Sequence, residues 1–188
     1  VRSGQILDLT SVARDIGVSF TTAKRWLSLL ETGYQILLLY PYYKNIGKRL
    51  VKRPKIYFTD TGLLSYLIGL NEQTDLDAGP YWGSLFETLV VVDIWKRYLH
   101  HGQKPAMYYL RTRDGLEIDL VIESGGRLNL IEIKSTATIR PGHADNLVRM
   151  SRDLGSLVDR TLIVSRASDS YVLTHHVSHF SWRDFLLC

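Results

Sequence analysis

Leu128-Asn129-Leu130-Ile131-Glu132-Ile133-Lys134 is the stretch that decides the fold. It is strand-length and apolar except for Asn129 and the acid and lysine at its end, so it reads as a buried strand with its charges gathered at one tip. Gly125 and Gly126 before it supply a tight turn, and Glu117-Ile118-Asp119-Leu120-Val121-Ile122 before them is a second strand-length run. Met107 to Leu110 is a third, set off by Arg113, Asp114 and Gly115, so the three form a β-meander. Period-2 alternation puts Glu117, Asp119 and Val121 on one face, and Leu128, Leu130, Glu132 and Lys134 on one face of the neighbouring strand. Asp119, Glu132 and Lys134 are therefore expected to converge.

Two carboxylates so placed repel unless a divalent cation lies between them, and hard oxygen ligands suit Mg²⁺ or Mn²⁺. An ammonium beside such an ion can orient water and balance charge developing on a phosphate, which is the chemistry of metal-assisted phosphodiester hydrolysis. The plainer alternative is a cross-strand salt bridge from Lys134 to Asp119 or Glu117. Upstream, Trp82 to Leu99 reads as a long apolar helix with Ser84, Glu87, Val91, Ile94 and Tyr98 on one face. A carboxylate in that stripe requires either an arginine partner or a polar site within reach.

Downstream, Pro141 to Gly155 reads as a helix with Leu147, Met150 and Leu154 on its buried face, followed by strands at Thr161 to Ser165 and Tyr171 to Leu173 and a closing helix from Trp182 to Leu187. Arg140, Arg149 and Arg152 fit either a phosphate contact or a solvated face. His175 and His179 have helical metal-ligand spacing, but Val172, Leu173 and Val177 around them indicate strand or loop, so the spacing reads as coincidence.

Charge divides the chain. Its net charge is +4, yet residues 1 to 70 hold ten Lys/Arg against four Asp/Glu, and residues 71 to 188 hold thirteen against fifteen. The basic part begins with a short helix capped by Thr10 and ended by Gly17, then a helix from Phe20 to Glu31 capped by Ser19, with Ala23, Leu27 and Leu30 as its buried stripe. Two helices across a glycine turn, followed by strand-like runs at Ile36 to Tyr40 and Ile56 to Thr59, give a winged helix-turn-helix. Asp60 caps a third helix ending at Gly69.

From Lys44 to Lys55 six basic residues (Lys44, Lys48, Arg49, Lys52, Arg53, Lys55) occur without an acid, next to Tyr40, Tyr42 and Tyr43. Such side chains release counterions from phosphates and stack on bases, so Thr22, Lys24, Arg25, Lys48, Arg49, Lys52 and Arg53 are the candidate nucleic-acid contacts. A solvated loop and a protein-docking wing are the alternatives.

The longest apolar stretches fall short of the roughly 18 to 20 residues of a membrane helix, so no membrane partner is expected. The one cysteine, Cys188, excludes an intramolecular disulfide, and a reducing, cytoplasmic setting is the expectation. The chain opens at Val1 with neither an initiator Met nor a signal-like segment, as a piece of a longer protein would.

Asp119, then Glu132-Ile133-Lys134 on the next strand, with a helical Glu87 ahead of both, resembles the PD-(D/E)xK restriction-endonuclease-like core. Together with Lys24-Arg25-Trp26-Leu27, Pro54-Lys55-Ile56-Tyr57-Phe58-Thr59-Asp60-Thr61-Gly62-Leu63 and Gly83-Ser84-Leu85-Phe86-Glu87, the order of pieces is similar to the domain of unknown function that follows the ATPase module in many bacterial and archaeal AAA-type ATPases. That resemblance implies an α/β (α+β) chain. A winged helix-turn-helix at residues 1–70 and a linker at 71–80 would precede a nuclease-like mixed sheet flanked by helices at 81–188. It implies Glu87, Asp119 and Glu132 as ligands of Mg²⁺ or Mn²⁺, with Glu117 as an additional candidate, and Lys134 as the catalytic lysine. The expected activity is that of a DNA phosphodiesterase, the alternative a non-catalytic regulatory or docking module. Expected partners are DNA or another nucleic acid, an ATPase module ahead of Val1, and further copies of the chain in an oligomer. No phosphate-binding loop of the G-x-x-x-x-G-K-[ST] type occurs, so this fragment is not expected to bind ATP.

Overall fold

In the computed structural model, residues 2–43, 52–70, 79–174 and 176–187 are described. The decisive stretch lies in strand β6 (Arg127–Lys134), which pairs antiparallel with β5 (Glu117–Ser124), itself antiparallel to β4 (Met107–Arg111). Ser124 faces Arg127 across the turn, leaving Gly125 (φ +58°) and Gly126 (φ +77°) as its two central residues. Two left-handed residues match the twist of a hairpin, and glycine takes them without steric cost.

Beyond β6 the chain crosses over through α5 (Asp145–Leu154) to β7 (Val158–Ser165), which runs parallel to β6. Strand β9 (Val177–Ser181) is parallel to β7, and β8 (Tyr171–Thr174) closes the edge antiparallel to β9. The chain is thus a mixed α/β structure with a six-stranded mixed sheet in the order β4-β5-β6-β7-β9-β8. Helix α4 (Trp82–His100) covers one face together with α6 (Trp182–Leu187), burying Phe86, Val90 and Val91 against Leu120, Ile131 and Ile133. Helix α5 covers the other, where Leu147, Met150 and Leu154 meet Leu128, Leu130 and Ile163. Each fully buried side chain of this kind contributes on the order of 1.5–3 kcal/mol of transfer free energy.

The first 70 residues form a smaller unit. Helices α1 (Leu9–Asp15) and α2 (Phe20–Thr32) fall in the chain between β1 (Gln5–Ile6) and β2 (Ile36–Leu39) of a three-stranded sheet whose central strand is β3 (Lys55–Phe58), and α3 (Thr61–Leu67) follows. Ser19 Oγ accepts from the Thr22 amide and Asp60 Oδ1 from the Leu63 amide, the caps expected of them. Thr10 does not cap α1: it lies inside the helix, and Asp8 accepts from the Ser11 amide instead. The expected buried stripe on α2 holds only at Ala23, because Leu30 is 46% exposed. This unit is tied to the large sheet through backbone bonds from Tyr42 to Tyr109 and from Tyr109 to Tyr40, and through Leu39 and Tyr57, which join the α4-side core.

Candidate functional site

One irregularity in β5 positions the site. Its pairing with β4 shifts register between Tyr108 and Leu110, so Ile118 and Val121 both enter the α5-side core while Leu120 enters the other. Such a bulge re-aims the side chain it carries. Val121 therefore does not share a face with Glu117 and Asp119, contrary to the strict alternation read from the sequence. The ladder to β6 runs from Ser124 only to Leu120, and beyond it Asp119 Oδ2 accepts the Ile133 amide at 2.8 Å.

Asp119, Glu87 and Glu117 converge on a cation that sequence reading placed in the basic loop. Lys55 Nζ lies 2.9 Å from Glu87 Oε1, 2.6 Å from Glu117 Oε1 and 3.8 Å from Asp119 Oδ1, with its side chain 3% exposed. It also stands 5.6 Å from the Tyr109 ring centre. Tyr57, two residues along the same face of β3, donates its hydroxyl to Glu87 Oε1 at 2.7 Å. Arg111 holds the other oxygen of Glu117 at 3.0 Å. Sequence alternation does not single out Lys55: it sets Lys55 and Tyr57 against the more apolar Ile56 and Phe58, yet only the first pair is buried.

Lys134 does not join that group. Its ammonium bonds Glu132 Oε1 at 2.5 Å, and the alternative bridge to Asp119 or Glu117 is not formed among the described residues. Glu132 is 4% exposed, and its Oε2 has no partner. The four expected site residues thus fall into two neighbouring sets, Glu87 and Asp119 beside Lys55 and Glu117, and Glu132 with Lys134. The bond from Ile133 to Asp119 connects them.

The electrostatics follow from burial and crowding. Burial, then the negative charge of Asp119, push Glu87 up to about 7 against the opposing pull of Lys55 and Tyr57. Burial and Asp119 likewise push Glu132 up to about 8, opposed by Lys134. Asp119 itself is raised by burial, with Lys55, the Ile133 amide and Lys134 pulling it down. Burial alone would lower Lys55, but Glu87, Asp119 and Glu117 outweigh it and hold the ammonium above its ordinary value.

These residues do not fit the divalent ion that the resemblance implies. Among the described residues no three of His, Cys, Asp and Glu are grouped to hold a metal. Three carboxylates instead surround one ammonium, with oxygens 2.6–3.8 Å from Lys55 Nζ, so a cation already stands where the ion would lie.

The candidate nucleic-acid contacts separate as well. Lys24 and Arg25 are exposed on α2 next to Trp26, which is 49% exposed. Thr22 is engaged in the helix cap, its hydroxyl 2.9 Å from Ser19 Oγ. Lys52 is exposed, Arg53 pairs with Asp8 at 2.9 Å, and Lys44, Lys48 and Arg49 lie outside the described residues. Tyr42 is no stacking platform: it is buried and edge-on to Tyr108 in the α5-side core. His179 bonds Ser165 within the sheet, and His175 is outside the described residues, as is most of the expected linker. Arg149 pairs with Asp114, while Arg140 and Arg152 are exposed. No helix among the described residues is long and apolar enough to cross a membrane.

Comparison with known proteins adds relatives of similar sequence. The uncharacterized protein Rv2008c of Mycobacterium tuberculosis and the uncharacterized protein Mb2031c of Mycobacterium bovis are each 36% identical over 135 residues, which is 72% of this chain and 30% of theirs. The chain thus spans less than a third of the length of these relatives. No solved structure matches it. Residues 1–74 match the family described as Domain of unknown function (DUF8612). Residues 82–184, which carry the six-stranded sheet and all of the site except Lys55 and Tyr57, match a second family, and the chain belongs to it: Domain of unknown function (DUF4143).

Proposed function

We propose that this chain is the C-terminal, nucleic-acid-docking part of an AAA-type ATPase, with its nuclease-like core serving as a non-catalytic scaffold. The observation that carries the docking is the α2 face: Lys24 and Arg25 are exposed, have no ion-pair or hydrogen-bond partner among the described residues, and adjoin a half-exposed Trp26. Unpaired cations next to an aromatic ring suit a phosphate backbone with bases free to stack. The greater length of the mycobacterial relatives supports an attached module. The run of α4, three antiparallel strands, α5 and a parallel strand supports the nuclease-like reading of the core.

Fluorescence anisotropy with labelled DNA over a salt series tests the docking. Wild type binds, and Lys24→Ala with Arg25→Ala weakens binding and lowers the log–log salt slope by roughly 2. An unchanged slope, or no binding by wild type, overturns the proposal.

A hydrolytic reading is favoured by one observation, the pair of buried Glu132 with half-buried Lys134, linked to Asp119 through the Ile133 amide. Nicking of supercoiled and branched DNA by the parent, Asp119→Ala and Lys134→Ala decides it. Equal activity in all three removes the catalytic reading, and metal-dependent cutting lost in both variants establishes it.

A further inference from the structure

We infer that Lys55 is the resident cation of the carboxylate cluster, an ammonium supplied by the N-terminal unit in place of a divalent metal ion. The inference rests on the nuclease-like reading of the core and says how its acids are neutralised. It begins with stoichiometry. An ammonium has three N–H donors. Lys55 faces two carboxylate oxygens at 2.6 and 2.9 Å, a third at 3.8 Å, and an aromatic face at 5.6 Å, so its donors are absorbed by the cluster.

Charge points the same way. Three carboxylates meet two cations, Lys55 and Arg111, and one of the three, Glu87, is also bonded by Tyr57 from the same strand as Lys55. A metal ion entering this space would have to displace a buried ammonium and would leave that ammonium without a counter-ion. Like charges brought to that spacing in a poorly solvated site repel strongly.

Geometry explains why Lys55 is held there. Its strand is fixed on both sides, Lys55 lying opposite Ile6 of β1 and Leu39 of β2, and Tyr57 is fully buried in the α4-side core. The ammonium is thus delivered by folded backbone. The same contact joins the N-terminal unit to the core: its strand supplies the cation, and α4 and β5 supply the anions.

The experiment uses the full chain, with Mn²⁺ and Mg²⁺ as probes. In wild type, calorimetry should detect no Mn²⁺ uptake that Asp119→Asn removes, and the melting temperature should be the same in EDTA and in Mg²⁺. Lys55→Met should lower the melting temperature by on the order of 10 °C, since it leaves buried carboxylates without their cation. Lys55→Met combined with Glu87→Gln, which removes one charge of each sign, should recover part of that loss, and this variant decides the matter if Lys55→Met alone does not fold. Stoichiometric, Asp119-dependent Mn²⁺ uptake by wild type overturns the inference. So does a Lys55→Met protein as stable as wild type, or a double variant no more stable than the single one. None of these outcomes touches the docking reading, which depends on α2 and is read by DNA binding.

Discussion

Lys55 Nζ donates to Glu87 Oε1 at 2.9 Å, and Tyr57, two residues along the same strand, donates to the same oxygen at 2.7 Å. One carboxylate oxygen of α4 thus receives two bonds from β3, and both donors are buried. The contact between the two units is polar at its centre and apolar around it, with Leu39 and Tyr57 packed among Phe86, Val90 and Tyr109.

Tyr57→Phe isolates one of these bonds. The substitution keeps the packed ring and removes the hydroxyl, so Glu87 loses a donor in a site that water does not readily refill. A loss of about 1–3 kcal/mol is expected by urea denaturation near pH 8, where Glu87 is mostly ionised. The loss should shrink near pH 5, because the hydroxyl favours the charged form of Glu87 and that form is then scarce. Equal losses at both pH values would mean that the bond is indifferent to the charge on Glu87.

Gly4→Ala probes the far side of the same carboxylate. Gly4 has φ +75°, and an added Cβ would lie 3.4 Å from Glu87 Oε2. The left-handed backbone alone costs an alanine about 1–2 kcal/mol. Gly102, with φ +67° and nothing within 4 Å of a built Cβ, carries the backbone cost without the contact. Because 3.4 Å is ordinary van der Waals contact, thermal melts of Gly4→Ala and Gly102→Ala should fall by similar amounts, set by the backbone. A markedly lower melting temperature for Gly4→Ala would show that the methyl group disturbs Glu87.

Much of the architecture is local and therefore legible. The hairpin between β5 and β6 follows from Gly125-Gly126 between two apolar runs, α5 from Leu147, Met150 and Leu154, and two helix starts from Ser19 and Asp60. The site was legible only in part, because its decisive residue is recruited over distance: Lys55 meets Glu87 32 residues away, and it stood in a basic run that hides a buried lysine among solvated ones. The bulge in β5 was also hidden, since a period-2 reading assumes that no residue is inserted. The sequence does not mark strand β9, because Val177-Ser178-His179-Phe180-Ser181 carries a histidine and two serines, and only the sheet buries His179, which bonds Ser165, and Ser181.

The bulge makes a separate claim testable. Asp119 Oδ2 accepts the Ile133 amide where the ladder has ended. Asp119→Ala leaves that donor without its partner and should cost about 1–3 kcal/mol in chemical denaturation. Asp119→Asn keeps an oxygen acceptor and removes a negative charge from among Glu87, Glu117 and Glu132, so it should cost less than the alanine variant. If the two lose equally, charge rather than the amide bond is what Asp119 contributes.

Glu132 carries the sharpest pH dependence. Burial first, and the charge of Asp119 second, raise it to about 8 despite Lys134, whereas an unfolded glutamate titrates near 4.3. Between those values the folded protein holds a proton that the unfolded chain releases, so this group's contribution falls as pH rises through the window and levels off above it. Glu87, raised to about 7, acts in the same direction. Carboxylates lowered by folding, such as Asp8 with its backbone bond to Ser11 and its contact with Arg53, act in the opposite one, so the informative quantity is the difference between wild type and Glu132→Gln. Measured by chemical denaturation from about pH 5 to pH 8.5, the wild type should lose on the order of 2–3 kcal/mol relative to Glu132→Gln, a discount on the full shift because Lys134 and Asp119 titrate with it. Asp119→Asn should move the midpoint of that loss downward by removing the neighbouring charge. A difference that stays flat across the window would show that Glu132 is ionised throughout in the folded protein, with Lys134 as its full counter-ion.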